Sequence, residues 1–419
     1  MIFDPASRAG AILEIDLGGI VENWRLLAQR AAPAQCAAVV KANAYGLGAA
    51  PVARALAEAG CRMFFVATLD EGIALRPILG TVPEIAILNG PMPGSEAEFV
   101  EHGLIPVLND PGQIAAWEIA SLPHRGRGRG PARQGWEGEG RSAASTLTRP
   151  SRSRWAPSPA MRERGYERRH PAILHVDTGM ARLGLDAREF AALVENPPPI
   201  RWRAVMSHLA CADDPDHPLN QRQRARFAAA AARLPGVPAS LAASSGIFLG
   251  ASYHFDLVRP GAALYGVNPL PGRPNPLHRI VRLSAKIVQI RQIDSGESVG
   301  YGAAQIMPAP GRAAIVGVGY GDGWLRSLSH RGCGYLAGTR IPLLGRVSMD
   351  LVTFDVSAVP PELAHPGAAI ELLGDNYGVD DAAADAGTIG YEILTALGPR
   401  YHRIYRDPPR LDPPPADRP

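Results

Sequence analysis

Along its first two thirds the chain alternates short apolar runs with stretches of helical periodicity. Ile12-Leu13-Glu14-Ile15-Asp16 precedes a helix through Val21-Glu22-Asn23-Trp24, and Val39-Val40-Lys41 precedes one containing Val52-Ala53-Arg54-Ala55-Leu56. Phe64–Ala67, Ile85–Leu88 and Ile105–Leu108 follow at similar intervals; after a gap come Ile173–Val176, Ala204–Ser207 and Ser240–Ala242. Strands buried on both faces read as unbroken apolar runs, because neither face meets water. Repeated strand–helix units in this number predict an α/β fold, a (β/α)8 barrel of TIM type, although a doubly wound sheet also fits the alternation. In such a barrel the chemistry sits at the C-terminal strand ends. Lys41, Asp177, His208 and Ser244-Ser245 all fall there.

From about Leu270 the pattern changes. Helical periodicity gives way to short alternating strands, Lys286–Ile290, Ala313–Val318 and Leu351–Phe354, punctuated by Gly296, Gly319, Gly345 and Gly374. This predicts a second, mostly β domain. The domains are read as 1–270 and 271–410, joined by the proline-rich Pro269 to Pro276, with a disordered tail at 411–419. A further segment, about 121–161, carries Gly-Arg repeats and little to bury. Its composition cannot offset the entropy of ordering a chain, so it reads as a disordered insert.

Charge makes that insert stand out. Residues 121–170 hold twelve arginines and four glutamates, net +8, so a chain of net +3 is near −5 elsewhere. No nucleic-acid partner follows for the folded part. Met1 to Gly10 has neither the basic start nor the apolar stretch of a secretory signal, and no run reaches membrane length. Cys36, Cys61, Cys211 and Cys333 lack metal-type spacing and read as reduced thiols of a cytoplasmic protein. No metal site is expected.

Lysine is almost absent: Lys41 and Lys286 stand against more than forty arginines. Arginine serves as well wherever a solvated charge suffices, so a retained lysine points to a need for a primary amine. Only an amine forms a Schiff base with a carbonyl compound. Lys41 ends an apolar run and opens Lys41-Ala42-Asn43-Ala44-Tyr45-Gly46-Leu47-Gly48, a plausible covalent anchor, although a strand end pointing into water fits its position equally. Lys286 reads as the outward residue of an alternating strand.

Six strings in order across both domains resemble bacterial alanine racemases. They are Val39–Gly46, Asp177–Gly184, Ser207-His208, Val258–Gly261 with Leu264-Tyr265-Gly266, Val299–Gly302 and Gly345–Asp350. The resemblance covers nearly the whole chain outside the insert. It implies a pyridoxal 5′-phosphate enzyme that interconverts L- and D-alanine, supplying D-alanine for peptidoglycan, as a homodimer with shared active sites. Lys41 would carry the cofactor and serve as one base, with Tyr301 from the partner subunit as the opposite-face base. Arg259 would face the pyridine nitrogen, oriented by His208. Tyr45, Ser244, Ser245, Gly261, Ala262 and Tyr405 would hold the cofactor and its phosphate. Arg182, Tyr320 and Met349 would form the substrate side, the last two again across the dimer.

Departures from the family pattern are Leu47 in place of histidine, Ser244-Ser245 in place of Asn-Ser, and Ser348 where many members carry cysteine. His175 stands where well-studied members carry a CO2-modified lysine whose negative charge braces the substrate-side arginine. A neutral hydrogen bond or another anion must then brace Arg182. A non-catalytic cofactor carrier would lack the β domain, and a decarboxylase would place an acid at Arg259. A racemase of broad substrate range would bring a secretory signal and a disulfide.

Overall fold

The computed structural model describes residues 5–121 and 169–407. The segment read as an insert, apart from Ser121, and the tail at 411–419 lie outside the described residues. Ala38–Val39, Met63–Val66, Glu84–Ile87, Ile105–Leu108, Pro171–His175, Arg201–Met206 and Ala239–Ser240 form a seven-stranded parallel sheet in chain order. Its two ends meet through Leu257–Val258. That strand pairs in parallel with Gln35–Cys36, and the next residue, Arg259, bridges to Ala243. The Val39 amide donates to the Pro260 carbonyl at 2.9 Å, completing the closure. The expected (β/α)8-type barrel is thus formed. Phe64, Phe65, Ile85, Val107 and Val205 are fully buried, each worth roughly 1.5–3 kcal/mol of removed apolar surface.

One apolar run belongs elsewhere. Ile12–Asp16, read from its place before a helix as a barrel unit, lies in the strand Ala11–Asp16 of the second sheet. There it pairs antiparallel with Val281–Ile293 and parallel with His402–Arg406. Its burial alternates strictly, the period of a strand with one wet face, whereas the barrel strand Met63–Val66 is buried throughout.

The second sheet has eight strands: Gly311–Val316, Val352–Asp355, Thr339–Leu344, Cys333–Leu336, Ala369–Leu373, Val281–Ile293, Ala11–Asp16 and His402–Arg406. The long strand Val281–Ile293 also pairs with Gly311–Val316, so the sheet curls back on itself as a mostly antiparallel β domain. Asn23, fully buried on the helix Leu17–Ala31, joins the two halves. Its amide donates to the carbonyls of Leu264 and His278 at 3.2 and 3.1 Å, and its oxygen accepts from the His278 amide at 2.7 Å. No helix of the described residues is long and apolar enough to cross a membrane.

Candidate active site

Lys41 emerges from the strand Ala38–Val39 into a left-handed turn. Ala42, Asn43, Ala44 and Tyr45 have φ of 52°, 55°, 54° and 53° before Gly46 at 84°. Such backbone costs an L-residue roughly 1–2 kcal/mol each, and runs of it persist only where the surroundings over-determine them. The surroundings here come from the β domain. Arg403 donates to the Gly46 carbonyl at 2.6 Å and Tyr405 to the Leu47 carbonyl at 3.0 Å. A Cβ on Gly48 would lie 2.3 Å from the Tyr405 hydroxyl, so only glycine admits that approach. The amine is partly buried; burial lowers its pKa, the Arg182 charge lowers it further, and Glu71 acts in the opposite sense.

Arg259 lies 3% exposed across the barrel mouth. Its guanidinium donates to the Ser207 carbonyl at 2.6 Å, to the Leu241 carbonyl at 3.4 Å and to the Ser240 hydroxyl. Burial brings its pKa down to about 10, which still leaves it a cation at neutral pH. Ser240 was not foreseen as part of this group. Its signal was a hydroxyl within an apolar strand run, which when buried needs a partner. His208 is held neutral, its pKa brought down to about 3 by burial and by the charges of Arg259 and Arg182. Its described bonds do not include the expected one to Arg259; its carbonyl accepts from Gln223 at 2.9 Å.

Arg182 sits on a loop shaped by Asp177. Burial would raise the pKa of that carboxylate, but the backbone amides of Gly179, Met180 and Ala181 hold it below the usual value. They donate to it at 2.9, 2.8 and 2.9 Å. Behind the loop, His175 Nδ1 lies 2.7 Å from Asn109 Oδ1. The Asn109 amide nitrogen already donates to the Leu88 and Val107 carbonyls at 3.1 and 3.0 Å. Its oxygen therefore faces the ring, so Nδ1 carries the proton and Nε2 keeps a lone pair. Burial, with Arg259 and Arg182 nearby, brings the His175 pKa down to about 4, so the ring is neutral. Asn109 was the second residue not foreseen: an asparagine closing the apolar run Ile105–Leu108, at a strand end.

Around these groups, Tyr45 packs on Tyr265 with ring centroids 4.8 Å apart. A Cβ on Gly261 would lie 2.3 Å from the Tyr45 hydroxyl. Ser244 accepts from the Gly261 and Ala263 amides at 3.0 and 3.2 Å, so the Gly261 amide, expected to face the cofactor, is held by protein. Ala262 opens a 3-10 turn, whose first amide has no partner within the turn. Ser245 begins another such turn at the adjacent strand end.

The remaining three residues stand apart. Tyr301 is 74% exposed, Tyr320 43% and Met349 55%. The Tyr320 amide donates to the Ser348 carbonyl at 3.0 Å and the Gly321 amide to the Met349 carbonyl at 2.8 Å, so two loops of the β domain present Tyr320 and Met349 together. No described hydrogen bond or ring contact joins Tyr301, Tyr320 or Met349 to the barrel-mouth group.

A closed parallel barrel with an amine, a caged arginine and neutral imidazoles at its mouth, joined to a curled β domain, defines a class: two-domain proteins of a TIM-type barrel and a mostly antiparallel β domain. The particular family follows from comparison. The description "Alanine racemase, N-terminal domain" matches residues 15–129 and 153–269, and "Alanine racemase, C-terminal domain" matches 280–405. An alanine racemase of Rhodospirillum rubrum is 50% identical over 402 residues, 95% of this chain and 96% of that one. A catabolic alanine racemase of Mesorhizobium japonicum is 48% identical, over 95% and 93%. Among solved structures, the alanine racemase of Bartonella henselae with covalently bound pyridoxal phosphate superposes with a TM-score of 0.81 at 38% identity, covering 95% of this chain and all of that one. The chain belongs to the alanine racemase family.

Proposed function

We propose that this chain interconverts L- and D-alanine with pyridoxal phosphate carried on Lys41, as a cytoplasmic homodimer in which each active site draws on both subunits. The observation that carries the reading is the Lys41 amine at the head of the left-handed turn, its pKa lowered by burial and by Arg182. An amine so placed is closer to the unprotonated form that attacks a carbonyl. The residues present fit the cofactor. Gly261 leaves no room for a Cβ beside Tyr45; the donors nearby are phenols, serine hydroxyls and the orphan amide of Ala262. These suit a phosphate dianion without a lysine. Tyr45, Ser245, Ala262 and Tyr405 would hold the phosphate, with Ser244 holding the Gly261 turn that supports them.

When bound, the cofactor supplies an electron-withdrawing ring that makes the substrate Cα–H acidic. The chain supplies the rest. Arg259 would meet the ring nitrogen and, as a guanidinium, keeps its own proton. That limits electron withdrawal and favours prompt return of the proton to carbon over side reactions. Inversion needs a proton taken from one face and another returned on the opposite face. Lys41 would serve one face and Tyr301 of the second subunit the other. Arg182 would bind the substrate carboxylate, while the Met349 backbone and Tyr320 narrow the far side to a short side chain. Supply of D-alanine to the cell wall is the role this activity would serve.

The test is spectroscopic. Lys41→Ala should abolish both the yellow chromophore and racemisation. Lys286→Ala should keep both, because its amine is turned to the short N-terminal helix Pro5–Arg8, donating to the Ala6 and Ser7 carbonyls at 2.8 Å each. A chromophore surviving in Lys41→Ala would overturn the reading.

A further inference from the structure

Of the residues Ala42 to Tyr45 only Asn43, whose side chain accepts from the Ala49 amide at 2.8 Å, readily adopts the left-handed conformation, and glycine enters only at Gly46. The far end of the turn is held from the β domain through Arg403 and Tyr405. The near end, next to Lys41, is held by one carboxylate. Glu71 Oε1 accepts from the Ala42 amide at 2.6 Å. Its other oxygen accepts from the Ala67 amide at 2.8 Å and the Thr68 amide at 3.3 Å, at the end of the next barrel strand. We propose that Glu71 is a positioning residue for the reaction, clamping the left-handed turn to the neighbouring strand and thereby fixing the direction and the charge state of the Lys41 amine.

Glu71 has a second, structural task that must be separated from this one. With Thr68, whose hydroxyl accepts from the Glu71 amide at 3.4 Å, it forms the capping box of the helix Leu69–Leu79. A cap needs only one of its oxygens. The other reaches across to the turn. Around the amine, Arg182 comes from the loop after Pro171–His175, His208 stands neutral after Arg201–Met206, and Glu71 is the anion that acts on Lys41. Glutamine could keep one acceptor, but its amide group would set a donor against backbone donors.

The inference rests on the role proposed for Lys41, so its test is read first without the reaction. The chain has only two lysines. Reductive 13C-methylation of the full-length protein before cofactor is added therefore gives two lysine signals beside that of the N-terminal amine, with Lys286 as internal control. Glu71→Gln should lower the Lys41 pKa further, by removing the one charge that acts to raise it, and leave the Lys286 signal unmoved. Glu71→Ala should in addition speed amide exchange across residues 42–46. Thr68→Ala removes the other half of the cap and should change neither. With cofactor bound, Glu71→Gln should lose about tenfold in kcat with KM held. Lys41 titration and exchange unchanged in both Glu71 variants would overturn the proposal. So would equal changes in Thr68→Ala, which would reduce Glu71 to a helix cap. Failure of the racemase reading alone would leave the titration shift intact.

Discussion

The barrel mouth and the outer loops of the β domain are built to opposite rules. At the mouth, Arg259, His175 and their partners are buried and bonded before any ligand arrives, and both imidazoles there are driven to the neutral form. On the β domain, Tyr301, Tyr320 and Met349 lie in water. The first region is preorganised, and its electrostatics are settled within one subunit. The second carries large amphipathic side chains on firmly bonded loops with nothing to face. Exposed aromatic and methionine side chains on rigid supports are what an interface uses. The contrast is between a group settled within the barrel and side chains presented outward, and in the proposed dimer each would be one half of a shared site.

The sharpest way to break that contrast is to disable each half in a different chain. Tyr301→Phe should keep the yellow chromophore while losing roughly 10²–10⁴-fold in racemisation, the usual contribution of a positioned acid–base group. The loss should be equal in both directions, because each direction uses both faces. Mixed dimers of Tyr301→Phe and Lys41→Ala subunits should regain half of the native activity, since one of their two sites is rebuilt. Activity assays on mixed and unmixed samples decide it; no recovery in mixed dimers would mean that the halves do not meet across subunits.

The same contrast explains what could be read from the sequence. The barrel was legible because strands buried on both faces leave unbroken apolar runs, as in Phe64-Phe65-Val66. Ala11–Asp16 was misplaced because a strand before a helix looks like a barrel unit, and its true partners lie some 270 to 390 residues away in the chain. Lys41 was legible as a residue type whose chemistry is hard to replace, and Arg259, one of more than forty arginines, through the family resemblance alone. Their supports were not. Glu71 reads only as half of a capping box, and Ser240 and Asn109 read as punctuation at strand ends. The left-handed turn has only a weak local signature, Asn43 and Gly46, and alanine at two of its positions opposes it. It is imposed by long-range bonds from Glu71, Arg403 and Tyr405, which no window of sequence contains.

A second test addresses how settled the mouth is. The folded-state pKa of His175, about 4, lies below the ordinary 6.5. Below pH 6.5 the unfolded chain takes up a proton that the folded chain refuses, so stability falls as pH drops towards 4. One such group accounts for a loss of about 2 kcal/mol between pH 7 and pH 5. In His175→Gln that share should disappear, read as a smaller difference between urea midpoints at the two pH values. Because the ring is neutral and bonded to Asn109, activity should also be indifferent to bicarbonate in CO2-stripped buffer. An unchanged acid slope in His175→Gln would show that the imidazole is not held neutral.

The smallest effect is expected at Arg400, on the outward half. Its guanidinium donates to Asp322 at 2.6 Å and to Asp350 at 2.7 Å. Asp322 in turn accepts from the Gly319 amide at 2.9 Å, so one side chain ties the loop bearing Tyr320 to the loop bearing Met349. The arginine is exposed, and such pairs are screened by water, so little stability should depend on it. Its influence should fall on alignment of the substrate-side loops. Arg400→Gln should raise KM for alanine by about two- to fivefold and leave the chromophore and its pH dependence untouched, because those belong to the mouth. Steady-state kinetics beside an absorbance titration separates the two. A shifted chromophore would show that the strand His402–Arg406, which begins two residues after Arg400 and carries Arg403 and Tyr405 to the Lys41 turn, transmits strain from the outward loops to the mouth. The two regions would then act as one.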